Sequence, residues 1–509
     1  MAKRIRGRRR ARGSALRAKA AGVAESRQRG EALCRRPAEQ ICSELLARKY
    51  PLSEQEAGTI FDRDRKAVVR LLVTLSAQLV QARTGRQPAH PSTPSGMLPI
   101  YEKPPKGRRR RKPGRKEGHP GSRRGKPSKI PKHKEHCIEA CPGCGCRLNK
   151  KPCRKRERTI EDIPEVEPEV TQHTICGYWC RRCKKIVEPV VSDALPGSPI
   201  GNNLLVLTAW LHYGVGITLS QILLFLNCHQ RFTISQGGLI YMWYRLQEIL
   251  YAWYEAIGEE VKAGGVVCAD ETGWRVSGIL HWLWCFTSQT ATYYMIDRSR
   301  GEPALKKFFT EALDGILITD FWGAYGRVTA AFKQKCFVHL LRELKKVDIR
   351  NRSPGWIAFC KKLKRILRDA LRLSKREGLS PADYDSRRTR LDTRIDALIA
   401  VSWKDADAKR LVKRLIKYRN ELFTFLDHEG VPADNNHGER EIRPAVIIRK
   451  NSFCNRSEKG ANMQAVMMSI YRTLKLRGHD PVRTVAQALR QYIETGKLPP
   501  LPVPAASLR

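Results

Sequence analysis

An apolar segment with two adjacent acids, VVCADETGWRV at residues 266–276, constrains the fold of this chain most strongly. Its β-branched and apolar residues predict a buried strand, and successive side chains of a strand point to opposite faces. Asp270 and Glu271 must then lie on opposite faces of a sheet, so only one of them can belong to a site on either face. A buried carboxylate is costly unless it is paired or bound to a metal. The strand is therefore a candidate metal platform.

Short strands and tight turns continue over residues 264–344. Three strand-like segments separated by a few residues predict an antiparallel meander. The helix-like PALKKFFTEAL then leads to GILITDFW, a strand that we expect to pair in parallel with a neighbour. Three antiparallel strands, a helix and another strand are the beginning of an RNase H-like sheet. The predicted fold class is multidomain α+β with a mixed, RNase H-like sheet.

Three acids, two in this region and one later in the chain, are candidate metal ligands. Asp270 and Asp320 are predicted at strand ends in apolar surroundings, and Glu439 is predicted in the first turns of a helix that begins at Asp434 or Asn435. Gathered at one point, the three carboxylates would hold two Mg²⁺ or Mn²⁺ ions, which prefer oxygen ligands. Such an ion pair promotes phosphodiester displacement. A lone Asp at a strand end more often caps a turn, but the three acids together favour the metal site.

Eight of the 16 cysteines lie between Cys137 and Cys183. Two C-x-x-C pairs, Cys141 with Cys144 and Cys180 with Cys183, can each offer two thiolates to one tetrahedral Zn²⁺ ion. The 35 intervening residues alternate acids with β-branched residues, which predicts a small zinc ribbon whose strands connect the pairs. The zinc would be structural, since four protein ligands leave no open position. Each of these further cysteines could replace a ligand: Cys137, Cys146, Cys153 and Cys176. A cluster of redox-active or buried thiols is the alternative.

The balance of charges indicates a polyanionic partner. The chain has 95 Lys and Arg against 50 Asp and Glu, a formal charge of +45, which favours nucleic acid but is shared by ribosomal and histone-like proteins. Residues 103–134 carry fifteen Lys and Arg and the single acid Glu117. This density is typical of an arm that follows the phosphate backbone, with a solubilising linker as the alternative. The candidate phosphate contacts of the arm are Arg108, Arg109, Arg110 and Arg111.

Neither the N-terminus nor the uncharged segment at 194–230 indicates a membrane protein. The basic N-terminus lacks the apolar region of a secretory signal, so we expect a cytoplasmic, nucleoid-associated protein. Residues 194–230 carry no Lys, Arg, Asp or Glu, but Gly214-Val215-Gly216 divides them into pieces shorter than the ~20 apolar residues of a membrane span. Buried helices are expected there. Two short helices at 218–247, the second opening near residues 233–235, could form a helix-turn-helix or a helical hairpin.

Composition divides the chain into nine segments. They are a basic disordered arm (1–36), a helical segment that could dimerise (37–86), a basic Pro/Gly-rich linker (87–134), a zinc-ribbon domain (135–192), a helical DNA-binding or packing region (193–262), two parts of the core (263–344 and 429–475) separated by a basic helical stretch (345–428), and a helical tail (476–509).

Several ordered motifs resemble the DDE transposases of the bacterial insertion sequence sixty-six type over roughly residues 100–500: CPGC, CRRC, DETGWRV, TDFWGAY, CFVHLLRE, DNNHGEREIRP and IIRKNSF. The resemblance implies an RNase H-like catalytic core with a helical insertion at 345–428, a preceding zinc-binding module, and metal ligation by Asp270, Asp320 and Glu439. It implies DNA cleavage at element ends and strand transfer. Gly438 stands where the family tends to have Ala.

The resemblance also implies the partners. The expected DNA is double-stranded, both the terminal inverted repeats and the target. The expected protein partners are further copies of this chain, in a homodimer or larger synaptic oligomer, and accessory proteins of the same element. His339 and Arg342 share a helix face and are candidate phosphate contacts. Further cations flank Glu439: Arg440, Arg443, Arg449 and Lys450. Their alternative role is pairing with the acids. Two other functions stay open: a zinc-ribbon DNA-binding protein or repressor without catalysis, and an RNase H-like nuclease or resolvase.

Overall fold

The computed structural model describes residues 127–163, 166–376 and 378–505. All of them belong to one compact unit, Gly107–Arg509. The predicted basic arm, the helical segment at 37–86, and most of the basic linker with Arg108 to Arg111 lie outside the described residues.

The cysteine-rich region has little regular structure. Strands β1 (Tyr178–Cys180) and β2 (Lys185–Val187) form an antiparallel hairpin around the second C-x-x-C pair. An isolated bridge between Ala140 and Arg147 flanks the first pair. The prediction of strands connecting the two pairs is wrong for the described residues between 148 and 177, all of which are exposed. Alternating β-branched residues have no surface to pack against there, and Pro168 lacks the N–H that a strand would donate.

The uncharged segment forms helices α1 (Asn202–Ala209) and α2 (Leu219–Gln230), joined through a π-helical turn, and α3 (Gln236–Lys262) follows. Ser235 caps α3 near the predicted position, but α3 runs for 27 residues and is not short. Its apolar residues recur at helical spacing as far as Val261, so packing extends the helix. None of the helices in the described ranges is both long enough and apolar enough to span a membrane.

The centre of the fold is a five-stranded mixed sheet. Its strands are β3 (Val266–Val276), β4 (Ile279–Thr287), β5 (Thr292–Asp297), β6 (Leu313–Thr319) and β7 (Ala330–Lys335). The strand order is β5-β4-β3-β6-β7. Strands β3, β4 and β5 form the predicted antiparallel meander, and α4 (Glu302–Phe308) leads to β6, which pairs in parallel with β3 as predicted. Strand β7 extends the parallel side.

Helices predominate among the described residues that follow β7. They are α5 (Phe337–Arg350), α6 (Pro354–Leu373), α7 (Pro381–Ala400), α8 (Ala406–Lys417), α9 (Thr424–Asp427), α10 (Asn436–Ser452), α11 (Glu458–Leu476) and α12 (Pro481–Thr495), with short 3₁₀ turns at Gly323–Arg327 and Arg419–Glu421. The described residues therefore form a mixed α+β structure.

The two faces of β3 enter different hydrophobic cores. Cys268 packs in a core that it shares with α5 to α9. Ala269 packs in a larger core formed with α1 to α3 and α10 to α12. Because side chains alternate along a strand, Asp270 lies on the face of Cys268 and Glu271 on the face of Ala269. The two adjacent acids thus have separate surroundings.

The free edge of the sheet at β5 is covered by α11. The N–H groups of Thr292 and Tyr294 donate to the hydroxyls of Thr473 and Ser469 at 3.0 and 2.9 Å. Edge strands otherwise expose unpaired N–H and C=O groups to other chains. These hydroxyls satisfy the edge from within the molecule and fix α11 against the sheet.

Candidate active site

The candidate site lies where β3 runs past its parallel neighbour. Strand β3 pairs with β6 only over Val266–Cys268, so Asp270 stands beyond the paired segment. Asp320 is the first residue after β6. The sequence predicts both acids at strand ends, but Asp270 lies inside the 11-residue strand β3. The antiparallel pairing with β4 carries β3 onward after the parallel pairing has stopped.

Asn435 brings the start of α10 to this point. Its side-chain amide donates to the carbonyl of Ala269 at 2.8 Å, and its backbone N–H donates to the Cys336 sulfur at 3.1 Å. Glu439 follows in the first turn of α10. A Cβ at Gly438 would lie 2.7 Å from the Asn435 Oδ1 atom. Glycine at position 438 thus leaves room for the side chain that ties α10 to β3.

The Asp270 carboxylate is buried near other acids. Burial, followed by the charges of Glu271, Asp320 and Glu439, raises the pKa of Asp270 well above its usual range. The Glu271 N–H opposes this rise because it donates a hydrogen bond to Asp270 Oδ1 at 2.9 Å. A bound cation would offset this repulsion, so the donors fit divalent metal ions. Within the described part of the chain, the three acids do not form a cluster whose ligand atoms all lie within 4.8 Å of one another.

Asp320 is oriented by its own turn. Its Oδ1 accepts a hydrogen bond from the Trp322 N–H at 2.8 Å, and its carbonyl accepts one from the Thr319 hydroxyl at 3.0 Å. Lys335, buried at 1% exposure, donates to that hydroxyl at 2.9 Å. Burial lowers the pKa of Lys335, opposed chiefly by the charge of Glu421. The sequence did not reveal Lys335, which occupies an ordinary strand position.

Glu439 is paired with a cation. Arg342 donates to both carboxylate oxygens of Glu439 at 2.8 Å, and His339 Nδ1 lies 3.6 Å from Oε1. This hydrogen bonding raises the pKa of Arg342. Glu441, two residues further on, turns into the core, where Arg472 donates to it at 2.9 Å. Of the two acids, Glu439 alone faces α5.

Glu271 is held on the other face of β3. Its side chain is 3% exposed and accepts hydrogen bonds from Arg300 at 2.9 Å and from the Tyr325 hydroxyl at 2.5 Å. The Arg300 guanidinium lies between two indoles, 4.3 Å from the ring centre of Trp282 and 4.0 Å from that of Trp322. Trp322 is also the residue whose N–H orients Asp320. The contacts of Glu271 therefore support the turn that carries a predicted ligand.

Burial, and then the charge of Asp320, raises the pKa of Glu271 to about 7, while Tyr325 and Arg300 oppose the rise. Sequence reasoning did not identify Arg300 or Tyr325. The signal that could have pointed to them is Glu271 itself, because a buried carboxylate requires partners.

The cations that flank Glu439 have different surroundings. Arg440, Arg443 and Lys450 are exposed, and none of them forms an ion pair with another described residue. Arg449 instead donates to the Thr272 hydroxyl at 2.8 Å and to the carbonyl of Gly273. Arg449 ties α10 to β3, so its contacts favour a structural role over the predicted DNA contact.

The two cysteine pairs are local half-sites. The N–H groups of Gly143 and Cys144 lower the pKa of Cys141, and the N–H of Cys183, 3.4 Å from the Cys180 sulfur, lowers the pKa of Cys180. Thiolates are the form that binds zinc, so both pairs fit that ion. No three of these four sulfurs, all within the described residues, lie within 4.8 Å of one another.

Comparison with known protein families agrees with the motifs. Residues 197–463, more than half of the chain, match the family described as Transposase IS66 family. The chain belongs to the IS66 transposase family. In this family member, residues 139–184 also match the zinc-finger binding domain of transposase IS66. That match includes all four cysteines of the two pairs and supports a structural zinc.

Two curated relatives of this IS66 family chain come from Sinorhizobium fredii. Uncharacterized protein y4qI is 26% identical in an alignment of 269 residues, and the match covers 46% of this chain and 49% of that protein. Uncharacterized protein y4jD is 30% identical over 93 residues, 18% of each chain. The chain thus spans about half the length of the first relative and less than a fifth of the second.

Proposed function

We propose that this chain is a DDE transposase that cleaves DNA at the ends of its element and joins the freed 3′-OH to target DNA. The observation that carries the proposal is the placement of three acids at one point of the sheet. Asp270 lies just beyond the β3–β6 pairing and Asp320 directly follows β6. Glu439 lies in the first turn of α10, the helix start that Asn435 ties to Ala269 of β3. In a member of the IS66 transposase family with 95 Lys and Arg, this combination favours phosphodiester chemistry on DNA.

The sheet supports an RNase H-like assignment of the catalytic core. Its order β5-β4-β3-β6-β7 combines an antiparallel meander with two parallel strands. Helices α6 to α9 lie in sequence between Asp320 and Glu439, and they pack with α5 in a core that also includes Cys268, Ile316 and Ile318 of the sheet. They correspond to the helical insertion (345–428) that the family resemblance implies.

Two divalent cations, Mg²⁺ or Mn²⁺, held by Asp270, Asp320 and Glu439 would activate the attacking oxygen and stabilise the leaving oxygen. The chain's own residues prepare these ligands. The Glu271 N–H holds the Asp270 carboxylate, and the Trp322 N–H holds that of Asp320.

DNA would be held by cations near Glu439. Arg342 and His339 lie beside it, and Arg440, Arg443 and Lys450 are exposed nearby in sequence. Forked guanidinium donors suit phosphate oxygens, so these groups would position the scissile and target strands. The partners would be terminal inverted repeats and target DNA. Since two DNA ends are processed, a homodimer or larger synaptic complex is proposed, with accessory proteins of the element as further partners.

Substitution of the acids tests this function. Asp270→Asn, Asp320→Asn and Glu439→Gln are each expected to reduce cleavage of end-mimicking oligonucleotides in Mg²⁺ by about a hundred-fold or more, because metal ligation supplies several kcal/mol at the transition state. DNA binding, measured by fluorescence anisotropy, should persist. Asp314→Asn is the matched control, since this exposed acid lies on β6 away from Asp320.

The outcomes separate the alternatives. Joined products made by the wild-type protein support a transposase, and cleavage without joining indicates a nuclease or resolvase. Specific DNA binding without any cleavage, unaffected by the three substitutions, would indicate a zinc-ribbon repressor and would overturn the proposal.

A further inference from the structure

A second group of metal-binding atoms lies beside Glu439. One ligand atom each from Cys336, His339 and Glu439 lie within 4.8 Å of one another, and they form the one such group of three or more among the described residues. Cys336 is the N-cap of α5, His339 lies in its first turn, and Glu439 lies in the first turn of α10. The group is thus formed by two helix starts.

Two hydrogen bonds donated by backbone N–H groups hold these two helix starts together. The Asn435 N–H donates to the Cys336 sulfur at 3.1 Å, and the Phe337 N–H donates to the carbonyl of Ala433 at 2.9 Å. Both contacts join the segment before α10 to the start of α5. The three potential ligands are therefore carried by backbone whose relative position is fixed, as a preorganised site requires.

His339 has an unsatisfied nitrogen facing this group. Its Nδ1 is buried and makes no hydrogen bond within the described structure, and it lies 3.6 Å from Glu439 Oε1, beyond hydrogen-bonding distance. A buried polar atom without a partner is destabilising. A cation bound between the imidazole and the carboxylate would satisfy this nitrogen.

The donor types indicate which cation. Mg²⁺ prefers oxygen ligands in a near-ideal octahedron, whereas one thiolate, one imidazole and one carboxylate suit borderline ions such as Zn²⁺ and Co²⁺. Three protein ligands also match the number in zinc sites that keep an open position. This donor set differs from the all-oxygen set of Asp270, Asp320 and Glu439.

We propose that Cys336, His339 and Glu439 bind a borderline transition-metal ion, in a site that shares Glu439 with the Mg²⁺ ligands. On binding, the Cys336 S–H bond breaks, a sulfur–metal bond forms, and the proton passes to solvent. Arg342 releases the Glu439 oxygens that it holds at 2.8 Å. The consequence of metal binding for catalysis rests on the proposed function: a transition metal at this site withdraws Glu439 from the Mg²⁺ site and inhibits DNA cleavage.

Cobalt(II) is the probe that tests the site. The full chain, first loaded with one equivalent of Zn²⁺ at the cysteine pairs, is titrated with Co²⁺ without DNA. We expect one further equivalent to bind with a thiolate-to-cobalt charge-transfer band. Cys336→Ser should abolish the band and weaken binding at least about ten-fold, since even outer-shell partners of metal ligands contribute that much. Cys360→Ser, a buried cysteine of α6 outside the group, should keep the band.

Two more variants keep the test decisive if Cys336→Ser folds poorly. His339→Gln should also weaken cobalt binding about ten-fold or more. Arg342→Gln should strengthen it by up to about five-fold, because a competing, half-exposed ion pair of about 1 kcal/mol is removed. A band that survives in Cys336→Ser, or affinity unchanged in His339→Gln, would overturn the site.

The proposed function is judged separately by cleavage in Mg²⁺ alone. Cobalt binding without Mg²⁺-dependent cleavage would refute only the transposase activity. Cleavage without cobalt binding would refute only the shared site.

Discussion

Glu271 is a buried carboxylate close to the candidate site. It is 3% exposed, and Arg300 and the Tyr325 hydroxyl bind it on the face of β3 that points away from Asp270. Burying a carboxylate and a guanidinium is tolerated only while each retains the other. The pair therefore supports the turn after β6, because Arg300 also stacks on Trp322.

Truncating this acid should destabilise the protein strongly. Glu271→Ala leaves Arg300 largely buried without its carboxylate, and we expect the free energy of unfolding to fall by about 3–5 kcal/mol. Urea denaturation followed by circular dichroism measures the change. The control is Glu302→Ala, which removes exposed pairs with Lys306 and Arg327 and should lower the same quantity far less. Equal effects of the two substitutions would contradict the role assigned to Glu271.

Helix α11 packs against the edge strand β5 of the sheet. The hydroxyls of Ser469 and Thr473 accept from the N–H groups of Tyr294 and Thr292, so the helix completes the hydrogen bonding of β5. Both hydrogen bonds are buried. Deleting a hydroxyl would leave a buried N–H without an acceptor.

Ser469→Ala should lower the free energy of unfolding by about 1–3 kcal/mol, the usual cost of an unsatisfied buried donor. Hydrogen exchange of the Tyr294 amide should accelerate in parallel. Ser452→Ala on α10 is the matched control, since the buried Ser452 hydroxyl has no hydrogen-bond partner in the described structure. If Ser469→Ala proves as neutral as the control, α11 does not secure the edge through this bond.

The π-helical turn between α1 and α2 contains a titratable group. His212 donates from Nδ1 to the carbonyl of Ile217 at 2.7 Å and stacks on Trp243. Burial lowers the pKa of His212 below its usual value of 6.5, with the Ile217 carbonyl opposing the shift. The neutral imidazole therefore suits the folded state better than the protonated one.

This shift predicts a loss of stability in acid. Below pH 6.5 the unfolded chain takes up a proton that folded His212 resists, so the stabilisation present above pH 6.5 is lost as the pH falls toward the folded pKa. Relative to His212→Gln, the wild-type free energy of unfolding should fall by at most about 1.4 kcal/mol per pH unit. Denaturation curves at several pH values measure the difference between the two slopes, and parallel slopes would disprove it.

The chain as a whole carries a formal charge of +45, which favours binding to DNA. Contacts with phosphates release counterions, so affinity for DNA should fall steeply with salt. Much of this charge lies in the basic residues before the cysteine pairs, where Arg108 to Arg111 form a continuous run. The proposed function therefore predicts that this run contributes to DNA binding irrespective of DNA sequence.

Replacing Arg108 to Arg111 by alanine should reduce the slope of log affinity against log salt concentration by about 3 to 4, or roughly 0.9 for each lost phosphate contact. Anisotropy titrations with an end sequence and an unrelated duplex should show equal losses. The same four positions changed to lysine keep the charge and should retain the slope. An unchanged slope in the alanine variant would assign the run to a linker.

Local patterns in the sequence were sufficient for much of the architecture. Alternation and turn residues predicted the β3–β5 meander, the crossover helix and the parallel β6, because these features depend on neighbouring residues. Local patterns failed where side chains had nothing to pack against, as in the exposed segment between the cysteine pairs, and where packing extended α3 to 27 residues.

The acids Asp270, Asp320 and Glu439 were visible in the sequence as residue types at element boundaries, but their surroundings were not. Asn435 anchors α10 on Ala269 across 166 residues of sequence, and Arg342 meets Glu439 across 97. Likewise, Arg300, in the loop after β5, donates to Glu271 on β3, and Arg449 of α10 donates to Thr272 of β3. Periodicity specifies which face of an element is buried, whereas the partner of each polar group depends on which elements pack together. That choice is made only in the folded chain.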